Sequence, residues 1–463
     1  MNYLFPNGFK WGGSVWATGT EGASESDGKA PTVWDELYRI NPSRFYNCIG
    51  PNDTLNFYED YDRFVSLASD LKYNCFRTSI LWARLLPNGK NINDKALNFY
   101  KSMFQSIKDK GMNLSVVLYW FDMPLMYESK GGFTNREIVD DFVFYCDTCF
   151  KLFDGLVDDW FVYNEPIMDI RFKYQLKVCY PNLVDMSLSL KATYNMVVAH
   201  AKVVKVFKDN KYKGRIGTVL NRCCVYPRSD DFADLKAKKD CETLLYDSFE
   251  YPLLKGEINN NWLEFAHKYT LLDTQENDLK LIKENTIDFI GINYYFPQRV
   301  KKKENIDNTK PITFESFWDN YVYPLRRFNA DRGWEILPEG LYDTLMHFKN
   351  EFSNPSMYIT ENGIGIQNED RYRGSDGLIN DDYRVSFISE HLKHALRAIQ
   401  DGAKLEGYLV WSFIDLWSPT NQFKNCYGLY EYNTKTKEVK RKQSANFFQR
   451  ICEDNGLEDC NDI

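Results

Sequence analysis

Histidine is nearly absent from this chain: there are five in 463 residues, the first at His200. That disfavours a histidine-built metal centre or a nucleophile–histidine triad, which need imidazoles at convergent positions. Long apolar runs are missing as well. No stretch approaches the roughly 18 consecutive apolar residues that cross a bilayer, so no membrane partner is expected. Met1-Asn2-Tyr3-Leu4-Phe5-Pro6-Asn7 carries no basic segment leading into an apolar core, so no secretory leader is expected. Positive charge is in deficit, with a net charge of −8 and no dense basic run, which excludes the electrostatic footprint of a nucleic-acid binder. Lys301-Lys302-Lys303 is short and is expected on a solvated surface loop. The 11 cysteines lack a framework: their count is odd and their spacing irregular. They read as free thiols in a reducing, cytoplasmic compartment. Cys146-Asp147-Thr148-Cys149 has CxxC spacing, yet it lies in a helical apolar pattern without a second pair, so structural thiols are expected there. No Pro/Ser-rich linker or internal repeat divides the chain, and one domain is expected over residues 1–463.

Aromatic residues, by contrast, make up 16 % of the chain. They suit a large core and also a sugar cleft, because aromatic rings offer flat apolar faces. Short β-rich runs alternate with longer amphipathic segments from end to end. Residues 9–15, 73–80, 114–119 and 159–164 read as the first four strands, and 215–220, 286–293, 357–361 and 407–413 as four more. Segments 56–69, 94–110, 136–153, 187–208 and 382–399 place apolar residues at helical spacing. Eight strands each followed by a helix predict an α/β fold, a single (β/α)8 TIM barrel. Residues 223–239 and 296–334 are polar and irregular, and are expected as long βα loops capping the cleft.

Two short strings carry the chemistry. Tyr163-Asn164-Glu165-Pro166 and Ile359-Thr360-Glu361-Asn362-Gly363 each put a carboxylate at the end of a short apolar run. A parallel barrel brings such strand ends together on one face. Two carboxylates facing one sugar are what cleavage of a glycosidic bond requires. Taken singly, either string is also an ordinary turn after a strand.

With these strings come Phe5-Pro6-Asn7-Gly8-Phe9-Lys10-Trp11-Gly12-Gly13, Glu21-Gly22-Ala23, Phe76-Arg77-Thr78-Ser79-Ile80, Gly291-Ile292-Asn293-Tyr294-Tyr295, Gly333-Trp334-Glu335-Ile336 and Val410-Trp411-Ser412. In that order, over essentially the whole chain, they resemble glycoside hydrolase family 1, the retaining β-glycosidases. The resemblance implies that Glu165 is the acid/base and Glu361 the nucleophile. It places Arg77 and Tyr295 beside the nucleophile, where a cation and a phenol donor lower its pKa, and Asn164 on the sugar 2-hydroxyl. Trp120, Asn293, Trp334, Trp411, Ser418, Lys424 and Tyr427 are the expected substrate-binding positions. No metal or organic cofactor is expected.

The departures from the family pattern bear on the substrate. Gly19 stands where the family carries Gln, and Trp120 where it carries His, so two polar readers of the sugar are missing. Either the sugar differs at C3 or C4, or donors such as Thr18, Thr20 or the Trp120 indole replace them. After strand eight, Ser418 occupies the position of a Glu that reads the 4- and 6-hydroxyls in ordinary β-glucosidases. Ser418 and Tyr427 resemble the phospho-glycosidase branch, but the lysine of that branch falls on Asn425, and Lys424 lies one residue early. The leading expectation is therefore a retaining hydrolase of 6-phospho-β-glucosides. The alternatives are a β-glycosidase for an unphosphorylated or C3/C4-modified sugar, and a sugar-binding barrel that has lost catalysis. The aromatic loops Phe317-Trp318 and Tyr321-Val322-Tyr323 are expected either beside the aglycone or at a subunit contact.

Overall fold

The computed structural model describes residues 3–457. Eight parallel strands close into a barrel: β1 (Lys10–Ser14), β2 (Cys75–Ser79), β3 (Asn113–Tyr119), β4 (Asp159–Asn164), β5 (Arg215–Asn221), β6 (Phe289–Asn293), β7 (Ser356–Asn362) and β8 (Leu405–Val410). Closure comes from β8 pairing with β1, with Tyr408 opposite Trp11 and Val410 opposite Gly13. Strands β2, β4 and β6 are buried at every residue, as expected for parallel strands covered on both faces. The covering layer is helical. Phe57–Asp70, Asp94–Asp109, Ile138–Phe153, Met186–Asp209, Pro338–Glu351, Asp382–Gln400 and Gln443–Asp454 each turn a buried stripe to the barrel. The two ends of the described chain meet where Tyr3–Leu4 pairs antiparallel with Gly456–Leu457. No helix among the described residues is long and apolar enough to cross a membrane.

The eight expected strands are the eight barrel strands, with shifted ends. β6 begins at Phe289 rather than 286. β8 runs from Leu405 to Val410 rather than 407–413, because the apolar run outlasts the backbone ladder. Two stretches read as irregular are in part ordered. Val225–Pro227, Gln298–Lys302 and Trp318–Asn320 form a three-stranded sheet over the barrel mouth, and Phe232–Glu242 is a helix. Lys301 and Lys302 lie in that sheet, not on a loop, and Lys303 pairs with Asp319 at 2.8 Å. These strands are three to five residues long with few inward positions, too short for a period to show. Cys146 and Cys149 are both buried within one helix, and burial pushes both thiols up, which suits packing and not redox chemistry.

Candidate active site

Strand ends β2, β4, β5, β6 and β7 deliver polar side chains to a single cleft at the C-terminal mouth of the barrel. Arg77 on β2 is fully buried and divides its guanidinium among three partners, the weakest being Ser14 Oγ, which accepts from Nη1 at 3.4 Å. Nη1 donates to Glu361 Oε1 at 2.9 Å and Nη2 to Asn164 Oδ1 at 2.5 Å. The Tyr295 hydroxyl donates to Glu361 Oε2 at 2.6 Å. Both oxygens of Glu361 are thus held from the barrel side.

Glu165 is built differently. It caps the helix Pro166–Tyr174 with φ 48° and ψ 58°, a left-handed conformation that costs a non-glycine residue about 1 kcal/mol or more. Pro166, at the first helical position, sets the exit direction. Asn293 Nδ2 at 2.6 Å and Asn221 Nδ2 at 3.1 Å both donate to Glu165 Oε1. Oε2 has no protein partner among the described residues. Thr360 fixes the Asn293 amide by donating to its Oδ1 at 2.7 Å. Asn164 accepts from Arg77 and from Asn293 (3.2 Å) through Oδ1, which leaves its Nδ2 for a ligand.

Burial raises both carboxyls, and they differ in what opposes it. Burial, and then the charge of Glu361, push Glu165 up to about 7 against the Asn293, Asn221 and Arg77 contributions. Glu361 also lies above its ordinary value, because burial outweighs the Arg77 charge and the Tyr295 and Arg77 hydrogen bonds. The expected net lowering of Glu361 is therefore corrected: the cation and the phenol act in that direction, but desolvation is larger. Of the two, only Glu361 touches a cation. Tyr295 is held well above its usual value by burial and by Glu361, so it stays a hydrogen-bond donor.

Around the carboxylates the cleft is aromatic. Trp16, Trp120, Trp411, Tyr295, Phe296 and Trp334 all line it. Trp120 stacks on the Arg77 guanidinium at 4.3 Å and packs 5.7 Å from Trp411. Trp120 thus occupies the place of a polar reader and also covers the cation that holds Glu361. Gly19 is explained sterically: a Cβ there would lie 2.2 Å from the Trp417 carbonyl oxygen. Backbone fills the space that a larger residue would need. Neither Thr18 nor Thr20 reaches the cleft, and Thr20 Oγ1 donates to Trp16 O at 2.8 Å.

Asn293, Ser418 and Tyr427 line the cleft, but Lys424 does not: it is solvent-exposed and contributes nothing to the wall. Ser418 sits in a tight turn, Gln422 N donating to Ser418 O at 2.9 Å. The Tyr427 ring lies on bare backbone, since a Cβ at Gly365 would be 2.3 Å from its Cζ. A buried cluster beneath holds this loop. Lys442 bridges Glu369 and Asp415, Arg384 donates to Cys426 O at 3.0 Å, and Gly428 N donates to Asp415 Oδ1 at 2.8 Å. The aromatic loops do not line the cleft; Trp318 is buried beneath the capping sheet, and Phe317 packs on Phe265. Sequence reasoning missed Asn221, Trp16 and Arg332. Asn221 could have been found by the rule that named Glu165 and Glu361, because it ends β5. Met168, Phe172, Leu245 and Phe296 add apolar surface to the lining, together with Gln298 and with Arg171, whose charge is paired with Glu315 at 2.6 Å.

The sequence profile described as "Glycosyl hydrolase family 1" matches residues 1–457. A Bacillus subtilis protein named 6-phospho-beta-glucosidase GmuD is 41 % identical over 98 % of this chain and 99 % of its own length. Beta-glucosidase A of Acetivibrio thermocellus is 31 % identical over 98 % of this chain and 99 % of its own. The solved structure of the family 1 β-glucosidase from Thermotoga maritima superposes with a TM-score of 0.90 at 30 % identity, covering 99 % of this chain and 100 % of that one.

Proposed function

The chain belongs to glycosyl hydrolase family 1, and from that membership we propose that it hydrolyses 6-phosphorylated β-glucosides, with Glu361 as nucleophile and Glu165 as acid/base. The observation that carries the hydrolytic assignment is the asymmetry of the two carboxyls. Glu361 is clamped by Arg77 and Tyr295, while Glu165 keeps one unbonded oxygen and is pushed up to about 7 by burial and the Glu361 charge. A retaining mechanism needs this division, one group ionised to attack and the other protonated to release the leaving group.

In the first step a Glu361 oxygen bonds to the anomeric carbon as the carbon–oxygen bond to the aglycone breaks. The Glu165 proton passes to the departing oxygen. Glu165, now ionised, takes a proton from water, and the water oxygen displaces Glu361 from the anomeric carbon. Asn164 Nδ2, left without a protein partner among the described residues, donates in this proposal to the 2-hydroxyl, a bond that strengthens as charge develops on the ring.

The phosphate reading rests on charge. Among the described residues, Glu165 and Glu361 are the only carboxylates lining the cleft. Ser418 stands where ordinary β-glucosidases carry a Glu, whose charge would repel a dianion. The 41 % identical relative is named a 6-phospho-β-glucosidase, whereas the plain β-glucosidase relative is more distant. A side-by-side rate comparison on aryl β-glucoside and β-galactoside, each with and without a 6-phosphate, tests the proposal. Turnover confined to the phosphorylated members is expected; equal or better turnover of the plain glycosides would overturn it.

A further inference from the structure

The cation expected from sequence at Lys424 is solvent-exposed, and the cleft wall holds two others: Arg171, which is paired with Glu315 at 2.6 Å, and Arg332. Arg332 comes from the long loop after β6, two residues before Trp334, and lines the cleft with Ser418 and Tyr427. Its guanidinium stacks on the Trp334 ring at 4.0 Å. Nη1 lies 3.5 Å from the Asn425 Oδ1, and Nε is buried without any protein partner. Among the described residues no carboxylate pairs with it, since the adjacent Asp331 is engaged by Arg371 at 2.9 Å. The Arg332 charge also draws the Tyr427 phenol down against the rise that burial imposes, so the two groups share one electrostatic neighbourhood.

A guanidinium held flat on an indole, half-buried and without a counter-charge, is poised for an anion. Its position is informative. Asn425 fills the lysine position of the phospho-glycosidase pattern, and its amide oxygen faces Arg332. The short side chain at 425 leaves the space that an arginine from the opposite loop occupies. We infer that Arg332 grips the 6-phosphate together with Ser418 and Tyr427, the cation having moved from the β8 loop to the β6 loop. This rests on the phosphorylated-substrate reading above. Arg332 Nη1 faces the side-chain amides of Asn425 and Asn421, so Nη2 is the nitrogen left to meet a phosphate oxygen. The Tyr427 hydroxyl stands beside it, and Ser418 Oγ exchanges its bond to Gln422 O (3.3 Å) for the phosphate.

The experiment compares kcat/KM on 4-nitrophenyl β-glucoside and its 6-phosphate for wild type, Arg332→Gln, Arg332→Lys and Lys424→Ala. Arg332→Gln is expected to lower the phosphorylated-to-plain ratio about 10–100-fold, through KM. Arg332→Lys should recover part of that loss, and Lys424→Ala should leave the ratio unchanged. A wild-type preference for phosphate that survives Arg332→Gln overturns the inference and assigns Arg332 to packing Trp334. A wild type with no preference for phosphate overturns the substrate reading itself, and this inference with it.

Discussion

Arg77 Nη1 donates to Glu361 Oε1 at 2.9 Å, joining residues 284 positions apart in the chain. The guanidinium is fully buried, and its second nitrogen is spent on Asn164. Glu361 is consequently fixed in place and charge-matched before any substrate arrives, the arrangement that lets an oxygen attack without reorganisation. Glu361→Gln keeps the shape and removes the nucleophile. Turnover is expected to fall by about 10^4-fold or more, while the protein still unfolds in one cooperative transition. Steady-state rates and calorimetry check this, and near-wild-type activity would refute the role given to Glu361.

Glu165→Gln removes the proton donor but leaves the Asn293 and Asn221 side chains in place. Substrates with poor leaving groups, such as alkyl glycosides, should lose about 10^2–10^4-fold in rate. A dinitrophenyl leaving group needs no proton, so its glycosylation step should be nearly spared. Equal losses across a leaving-group series would count against an acid role.

The pH profile follows from the about 7 assigned to Glu165. A general acid must carry its proton, so kcat/KM should fall as pH rises through that value. Glu361 must be ionised and is also raised, so a second fall is expected on the acid side. Asn221 donates to Glu165 Oε1 and favours the ionised form. Its replacement in Asn221→Ala should raise the pKa and move the alkaline limb upward. A limb that stays in place would show that Asn221 does not support the ionised acid.

Gly365 is the floor under Tyr427, with room for no Cβ. Gly365→Ala should push the ring out of register at a cost of about 1–3 kcal/mol. If Tyr427 binds phosphate, KM for the phosphorylated substrate should rise about tenfold, with a smaller change for the plain one. Identical changes in the two KM values would detach Tyr427 from the phosphate.

Gly19→Gln would restore the family residue, yet the Trp417 carbonyl occupies the space for its Cβ. The variant is expected to lose about 1–3 kcal/mol of stability through overpacking and to gain no activity. A melting temperature equal to wild type would mean that the β8 loop yields readily.

The barrel was legible because its strands are buried on both faces and so read as continuous apolar runs, such as Phe289–Asn293. The capping sheet was not. Val225–Pro227 and Trp318–Asn320 are three-residue strands whose order comes from pairing with Gln298–Lys302, a partner remote from both in sequence. Asn221 was overlooked although it ends a strand as Asn164 and Asn293 do, because no motif framed it. Of the two places expected for the aromatic loops, the aglycone side is excluded, since none of them lines the cleft; whether a ring such as Trp318 is buried depends on neighbours remote in sequence.

The (β/α)8 architecture and the strand ends that carry Glu165 and Glu361 can be read from the chain alone, because both follow from local patterns that each strand writes in its own residues. Which uncompensated cation stands at the cleft follows only from how the loops fold. Lys424 and Arg332 are equal candidates in a one-dimensional reading, and Lys424 is nearer to Ser418 and Tyr427. The turn at Ser418–Gln422 leaves Lys424 in solvent, while the β6 loop lays Arg332 on Trp334 beside Asn425. Contact across two loops separated by about ninety residues is a property of the closed barrel, which brings β6 and β8 to the same mouth, and no local pattern encodes it.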